Sequence, residues 1–223
     1  MMMMRGKALI ISAALIFSAA TFASAQEEVA PLPDLDEEQE MPPGATGPDA
    51  PDETLLEPET ADQHKEMMDS LFDRLRDAKD EQTAEVTEQL IWNLWLYSGS
   101  DTVDVLMRRT LSAMKDENYP LALDLLNAIV ELKPDYAEGW NKRATVFFLL
   151  RDYAHSMQDV EQVLALEPRH FGALTGLGMI LRDTGDNTKA LAAFRKALEV
   201  HPQLKAARSA VNELEDIVEG KDI

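Results

Sequence analysis

From residue 61 onward, apolar positions recur at intervals of three and four: Met68, Leu71, Phe72 and Leu75, then Leu90, Ile91, Leu94 and Trp95. That spacing gathers each set on one face of a helix. YSGSDT (97–102) interrupts the period and offers hydroxyl and carboxylate caps for a new helix, which carries Val103, Leu106, Thr110 and Ala113 on one side. KDENY (115–119) reads as a turn, and LALDLLNAIVEL restores the helical period. No convincing run of alternating β-branched residues occurs, so the pattern predicts an all-α domain.

Three prolines then cut the helical text at equal intervals. Pro134, Pro168 and Pro202 lie 34 residues apart, in ELKPDYAEGW, ALEPRHFGAL and LEVHPQLKAA. A fixed period of this length marks stacked helix–turn–helix units. Proline lacks an amide hydrogen and clashes with the preceding turn, so it stops the second helix of one unit and opens the next. Other positions keep the same phase. Ala122, Ser156 and Ala190 are small, as are Thr110, Ala144 and Gly178, which lets paired helices approach closely. Leu126, Val160 and Phe194 supply bulk between them, and Gly185 falls in the turn DTGDN, where a left-handed residue ends a helix.

These residues resemble the tetratricopeptide repeat (TPR) pattern, W-x2-L-G-x2-Y, then A-x3-F, then P. The last unit matches in Leu177-Gly178, Ala190-x3-Phe194 and Pro202; the middle one in Trp140, Ala144, Phe147 and Pro168, with Arg143 where leucine is usual. The first, 103–136, matches through Ala122, Leu126 and Pro134. The resemblance implies a right-handed α-solenoid. Residues 100–218 are expected to hold three repeats plus a capping helix at 203–218, with Ala206, Ala210, Leu214 and Ile217 on its inner face. Residues 61–99 would be a fourth unit in phase, but Glu88 replaces the small residue and Ser100 the proline. They are read as a degenerate helical hairpin at the front of the array.

The N-terminus changes the picture of where such a solenoid works. MMMMRGK is a short basic run, ALIISAALIFSAA (8–20) is apolar but short for a bilayer span, and Ala23-Ser24-Ala25 forms a small-x-small site. Residues 1–25 therefore read as a signal peptide cleaved between Ala25 and Gln26, and the absence of cysteine and of N-x-Ser/Thr sequons favours a bacterial periplasm. Residues 26–60 hold seven of the chain's 11 prolines, 12 acidic residues and no basic one. Such a segment buries too little apolar surface to offset its ordering entropy, and it is expected to be a disordered, acidic, Pro-rich arm. Within it, Asp34-Leu35-Asp36-Glu37-Glu38 begins like a calcium loop, but Gln39 stands where the loop needs glycine. The overall balance of 41 acidic against 21 basic residues disfavours phosphate backbones and anionic membrane surfaces as ligands. Neither nucleic-acid binding nor stable membrane insertion after cleavage is expected.

Candidate chemistry is sparse. The histidines, His64, His155, His170 and His201, carry no paired-histidine, HExxH or phosphate-loop context and read as surface or junction residues. Asp152, His155 and Ser156 spell a catalytic grouping only on paper, since near neighbours along a helix do not face one another. No enzyme activity, cofactor or metal is expected. The resemblance instead implies a concave surface lined by the first helix of each repeat, at Met107, Leu111 and Met114, then Asn141, Thr145 and Phe148, then Thr175, Met179 and Arg182. The polar carboxylate clamp of some family members is missing, with Met107 and Leu111, or Thr175 and Met179, in its place. A methionine-rich groove suits an amphipathic or apolar segment of an envelope protein; alternatively the N-terminal hairpin covers these groups itself. The chain as a whole resembles small exported TPR proteins of Gram-negative, especially alphaproteobacterial, cells. That likeness implies a non-catalytic interaction module for cell-envelope integrity or assembly. The other readings are a chaperone or adaptor for one envelope complex, such as cytochrome c maturation or outer-membrane protein insertion, and an envelope hydrolase.

Overall fold

The computed structural model describes Pro58, residues 60–218 and Gly220; the leader and most of the acidic arm lie outside the described residues. Among these, the chain forms nine helices and no strand: α1 (Ala61–Asp77), α2 (Glu81–Leu96), α3 (Asp101–Lys115), α4 (Tyr119–Leu132), α5 (Ala137–Leu149), α6 (Tyr153–Leu166), α7 (Phe171–Asp183), α8 (Asn187–Val200) and α9 (Lys205–Val218). The pairs α3–α4, α5–α6 and α7–α8 stack in sequence as a helical solenoid, closed by α9.

Local chemistry repeats with the same 34-residue period as the prolines. Asn118, Asp152 and Asp186 each cap the second helix of a pair, accepting a hydrogen bond from the backbone amide of Leu121, His155 and Lys189. One residue earlier the backbone is left-handed, at Glu117 (φ 55°), Arg151 (φ 60°) and Gly185 (φ 91°). Only the third repeat uses glycine, the residue with no steric penalty there. The small positions are sealed between helices: Ala122, Ser156 and Ala190, with Thr110, Ala144 and Gly178, are all buried, and Leu126, Val160 and Phe194 fill the space beside them. Ser156 and Thr110 donate their hydroxyls to the carbonyls of Ala144 and Leu106, so neither polar group is orphaned. Arg143, the departure from the family pattern, forks onto both oxygens of buried Asp159 (2.8 Å each) and reaches Asn127 (3.0 Å). It thus replaces an apolar contact with a bidentate ion pair between α5 and α6.

Two expectations are corrected. The inner face of α9 is Ala207, Ala210, Val211 and Leu214, while Ala206 and Ile217 are exposed. The spacing that fits the packing is i, i+3, i+4, i+7, and a choice starting one residue earlier rotates the stripe off the core.

The second correction concerns the hairpin, which does not simply extend the array at its front. It lies against the junctions of α6–α7 and α8–α9. Trp95 stacks on His170 with ring centroids 3.9 Å apart and 3° between planes, and Trp92 meets Phe171 edge-on at 5.4 Å. Arg169 bonds Asp69 (2.6 Å) and covers the Phe72 ring, Gln203 donates to the Ala78 carbonyl (2.9 Å), and Lys205 pairs with Glu81 and Glu85. Met68, Phe72, Leu75, Ile91, Leu94 and Trp95 form one core with Phe171, against which Val200 and Leu204 pack. Aromatic side chains on α2 that could have stacked on α3 are spent on α7 instead.

Candidate functional site

The hairpin's placement divides the predicted concave surface into two hollows. The first, about 710 Å³, lies among α1, α2 and α3 and is walled by Met67, Leu71, Leu90, Leu94, Met107 and Leu111, with Glu66, Asp104 and Arg108 among its polar lining. The second, about 370 Å³, lies where α2 crosses α5 and α7, and Asn141, Thr145, Phe148, Thr175 and Met179 line it together with Trp92, Glu88, Gly176 and Leu204. Met114 and Arg182 line neither. Of the nine positions expected to face a common groove, Met107 and Leu111 thus belong to one hollow and the five from Asn141 to Met179 to another. Met107 is 2% exposed and packs with Val103, Ala113 and Ala122, so it is core as much as lining. Asn141 is also buried and donates to Glu138 (2.9 Å). The expectation of one continuous nine-residue surface is therefore corrected: the hairpin covers part of it.

The second hollow has a distinctive floor. Phe171 to Asp183 is a regular helix containing three glycines, of which two are explained by packing. A Cβ at Gly172 would meet Cη2 of Trp92 at 2.6 Å, and one at Gly178 would meet three atoms of the Phe194 ring at 2.7–2.8 Å. A Cβ at Gly176 would meet nothing within 4 Å. Glycine inside a helix costs about 0.5–1 kcal/mol relative to alanine, so Gly176 weakens α7 without any gain inside the protein. It leaves bare backbone in the lining of a hollow whose apolar walls are Trp92, Phe148, Leu149 and Met179.

Beneath the hairpin lies a buried polar cluster that periodicity could not show. His170 and Glu138 are both fully enclosed, with Nε2 of the imidazole 3.1 Å from the carboxylate. His170 also caps α7 by accepting the Ala173 amide at Nδ1 (3.1 Å), and an amide can only donate. The ring proton therefore sits on Nε2 and is donated to Glu138. Lys142 pairs with the other carboxylate oxygen (2.7 Å) and lies 5.2 Å above the Trp92 ring. Burial would raise the Glu138 carboxyl, but the His170 hydrogen bond and the Lys142 charge outweigh it and hold the group below the ordinary glutamate range. A second pair, His201 Nε2 to Glu88 (3.0 Å), closes the other side of the seam, and there the His201 hydrogen bond lowers the Glu88 carboxyl. Both nitrogens of His170 are committed and its side chain has no solvent contact, so the imidazole serves to position helices.

His170 and His201 are thus interior residues at repeat junctions, which corrects the surface half of the sequence reading. The signal was available: Glu88, the residue that breaks the repeat pattern in α2, is the partner of His201 and of the Trp92 indole (3.2 Å). Asp152, His155 and Ser156 do not converge. His155 holds Asp152 at the surface (2.7 Å), while the Ser156 hydroxyl is buried and bound to a carbonyl. Among the described residues no group of three or more histidine and carboxylate side chains is arranged to hold a metal, and no helix is long and apolar enough to cross a membrane.

Residues 152–208 match the tetratricopeptide repeat family. A TPR repeat-containing protein of Rhizobium etli is 40% identical over 156 residues, which is 70% of this chain and 76% of that protein. Among solved structures, the TPR domain of Arabidopsis OM64 superposes with a TM-score of 0.51 at 22% identity, over 53% of this chain and 98% of the domain. The first TPR of Spaghetti (RPAP3), solved bound to the HSP90 peptide SRMEEVD, gives a TM-score of 0.51 at 19% identity, over 52% and 93%.

Proposed function

The chain belongs to the tetratricopeptide repeat family, and from that premise we propose that it is a non-catalytic protein-interaction module that takes an apolar or amphipathic segment of an envelope protein into the hollow between α2, α5 and α7. The observation that carries this reading is Gly176. A helical glycine that no internal neighbour requires leaves room for another backbone to come close, and it lies amid apolar walls with a few polar groups at Thr145, Thr175 and Glu88. The chemistry differs from that of the acidic HSP90 peptide held by the Spaghetti TPR. Glu88 on one wall and a net charge of -20 disfavour an acidic ligand here, and methionine and aromatic groups favour an apolar one.

The leader and the acidic arm support action outside the cytoplasm, with export to the periplasm and a part in cell-envelope integrity or assembly. The test combines location and capture. Intact mass of the protein recovered from a periplasmic fraction should begin at Gln26, and a product that keeps residues 1–25 in the membrane fraction would refute export. Immobilised wild-type chain should retain a discrete protein from periplasmic extract, and Gly176→Leu, whose Cβ meets no internal neighbour and whose side chain would occupy the hollow, should not. Equal retention by both baits would move the interaction to another surface.

A further inference from the structure

The hollow among α1, α2 and α3 is a different surface, and half of its wall comes from the N-terminal hairpin. Met67, Leu71, Leu90, Leu94, Met107 and Leu111 make it apolar over about 710 Å³. An opening of that size and character is uncommon on a protein surface without an occupant. Pro58 shows where the chain enters. It is buried and lines this hollow, two residues ahead of Thr60, whose hydroxyl caps α1 by accepting the Gln63 amide. Pro58 also borders a more polar hollow of about 570 Å³ beside Tyr97, Lys133 and Tyr136, so it stands at the edge of both.

Directly upstream the sequence is ETLLE (53–57), which contains the only adjacent leucines between residues 26 and 60. Leu56 and Leu55 stand two and three residues before Pro58, within about 7–11 Å of it at the full reach of a chain. Charge allows one contact: Arg108 is the one cation among the described lining residues and no described carboxylate forms an ion pair with it, although Glu66 and Asp104 also line the hollow, while Glu53 and Glu57 flank the two leucines.

We infer that the hollow among α1, α2 and α3 is the docking site of the chain's own Leu55-Leu56 segment, with Arg108 facing the flanking glutamates. The inference is independent of the hollow at Gly176.

The natural chain has no cysteine, which gives a clean background for cross-linking. In the full chain, Leu56→Cys with Leu90→Cys should close an intramolecular disulfide on mild oxidation at least tenfold faster than Leu56→Cys with Ile217→Cys, which offers an exposed partner on α9. Equal rates for the two pairs overturn the inference, and so does a disulfide formed only between two copies of the chain, which would give the surface to self-association. The second measurement is uptake of the apolar dye anilinonaphthalene sulfonate. Leu55→Asp/Leu56→Asp should bind several-fold more dye than wild type with an unchanged helical circular dichroism spectrum, because the hollow is vacated. Equal dye uptake by the two proteins also overturns it.

Discussion

The three glycines of α7 allow one substitution to be made in three surroundings. Alanine at any of them gains helix propensity of about 0.5–1 kcal/mol. At Gly176 nothing opposes the gain, because the new methyl group meets no atom within 4 Å. At Gly178 the methyl group would lie 2.7–2.8 Å from three atoms of Phe194, a ring that is 1% exposed and enclosed by Ala190, Ala197 and α9. Overpacking of such a site costs about 1–3 kcal/mol, so the net effect is a loss of about 1–2 kcal/mol. At Gly172 the methyl group runs into Trp92 at 2.6 Å, and that ring is held by Trp95, Phe171 and its bond to Glu88. The loss is similar, about 1–2 kcal/mol, but it falls on the seam between hairpin and array.

Thermal melts followed by far-ultraviolet circular dichroism should therefore rank Gly176→Ala above wild type and both others below it. For a domain of this size 1 kcal/mol corresponds to about 2–4 °C in Tm. Tryptophan fluorescence adds the location, since Trp92 and Trp95 sit on the seam and Trp140 does not. In Gly172→Ala the fluorescence transition should precede the helical one, whereas in Gly178→Ala the two should coincide. A Gly172→Ala protein as stable as Gly176→Ala would refute the docking of α2 on α7.

Four further outcomes are expected. Glu138→Gln should lower stability by about 1–3 kcal/mol at neutral pH, because an amide cannot pair with Lys142 in the buried cluster; chemical denaturation midpoints check this. Glu138 and Glu88 are both depressed in the fold, so their contribution is present above the ordinary glutamate value near 4.5 and is lost as pH falls below it and through the lowered folded value. Wild type should therefore lose more Tm than Glu138→Gln between pH 7 and pH 3. Met107→Asp, which places a charge in the core, should cost several kcal/mol and broaden or abolish the melt, and an unchanged Tm would show that Met107 is not enclosed. Arg151→Gly, at a left-handed position (φ 60°), should raise stability by about 0.5–1 kcal/mol, and a fall would mean that the side chain's contacts outweigh the backbone strain.

The repeats were legible because their determinants are local and periodic. Pro134, Pro168 and Pro202 set the phase, and Ala122, Ser156 and Ala190 fall into it without reference to any distant residue. The same period also runs through Asn118, Asp152 and Asp186, a cap series as readable as the prolines and overlooked among the turn residues. The hairpin was legible as two helices but not in its placement. Its docking depends on Trp95 meeting His170 and Glu88 meeting His201, pairs far apart in sequence that no helical period brings together. Only the irregularity of Glu88 pointed toward them. For the site, periodicity identified the inner helix face, but it could not foresee that the molecule's own tryptophans would cover the middle of it. On α9 a single residue of phase separated Ala206 and Ile217 from the true stripe, an error that composition alone does not correct.

Contacts between the hairpin and the far end of the array span 100 residues at Arg169–Asp69, 113 at His201–Glu88, 120 at Lys205–Glu85 and 125 at Gln203–Ala78. A simple solenoid is built from neighbours only, so it can fray at either end and grow from anywhere along its length. Here the two ends hold each other, and unwinding α9 at its start also strips the hairpin of its support. The same closure sets an order of events during synthesis, because contacts of long sequence separation form late. The hairpin leaves the ribosome about 100 residues before its partners exist. Phe72, Trp92 and Trp95 then have only the hairpin's own side chains for cover until α7, α8 and the first turn of α9 have been made, so the earliest helices of the domain are the last to reach their final place.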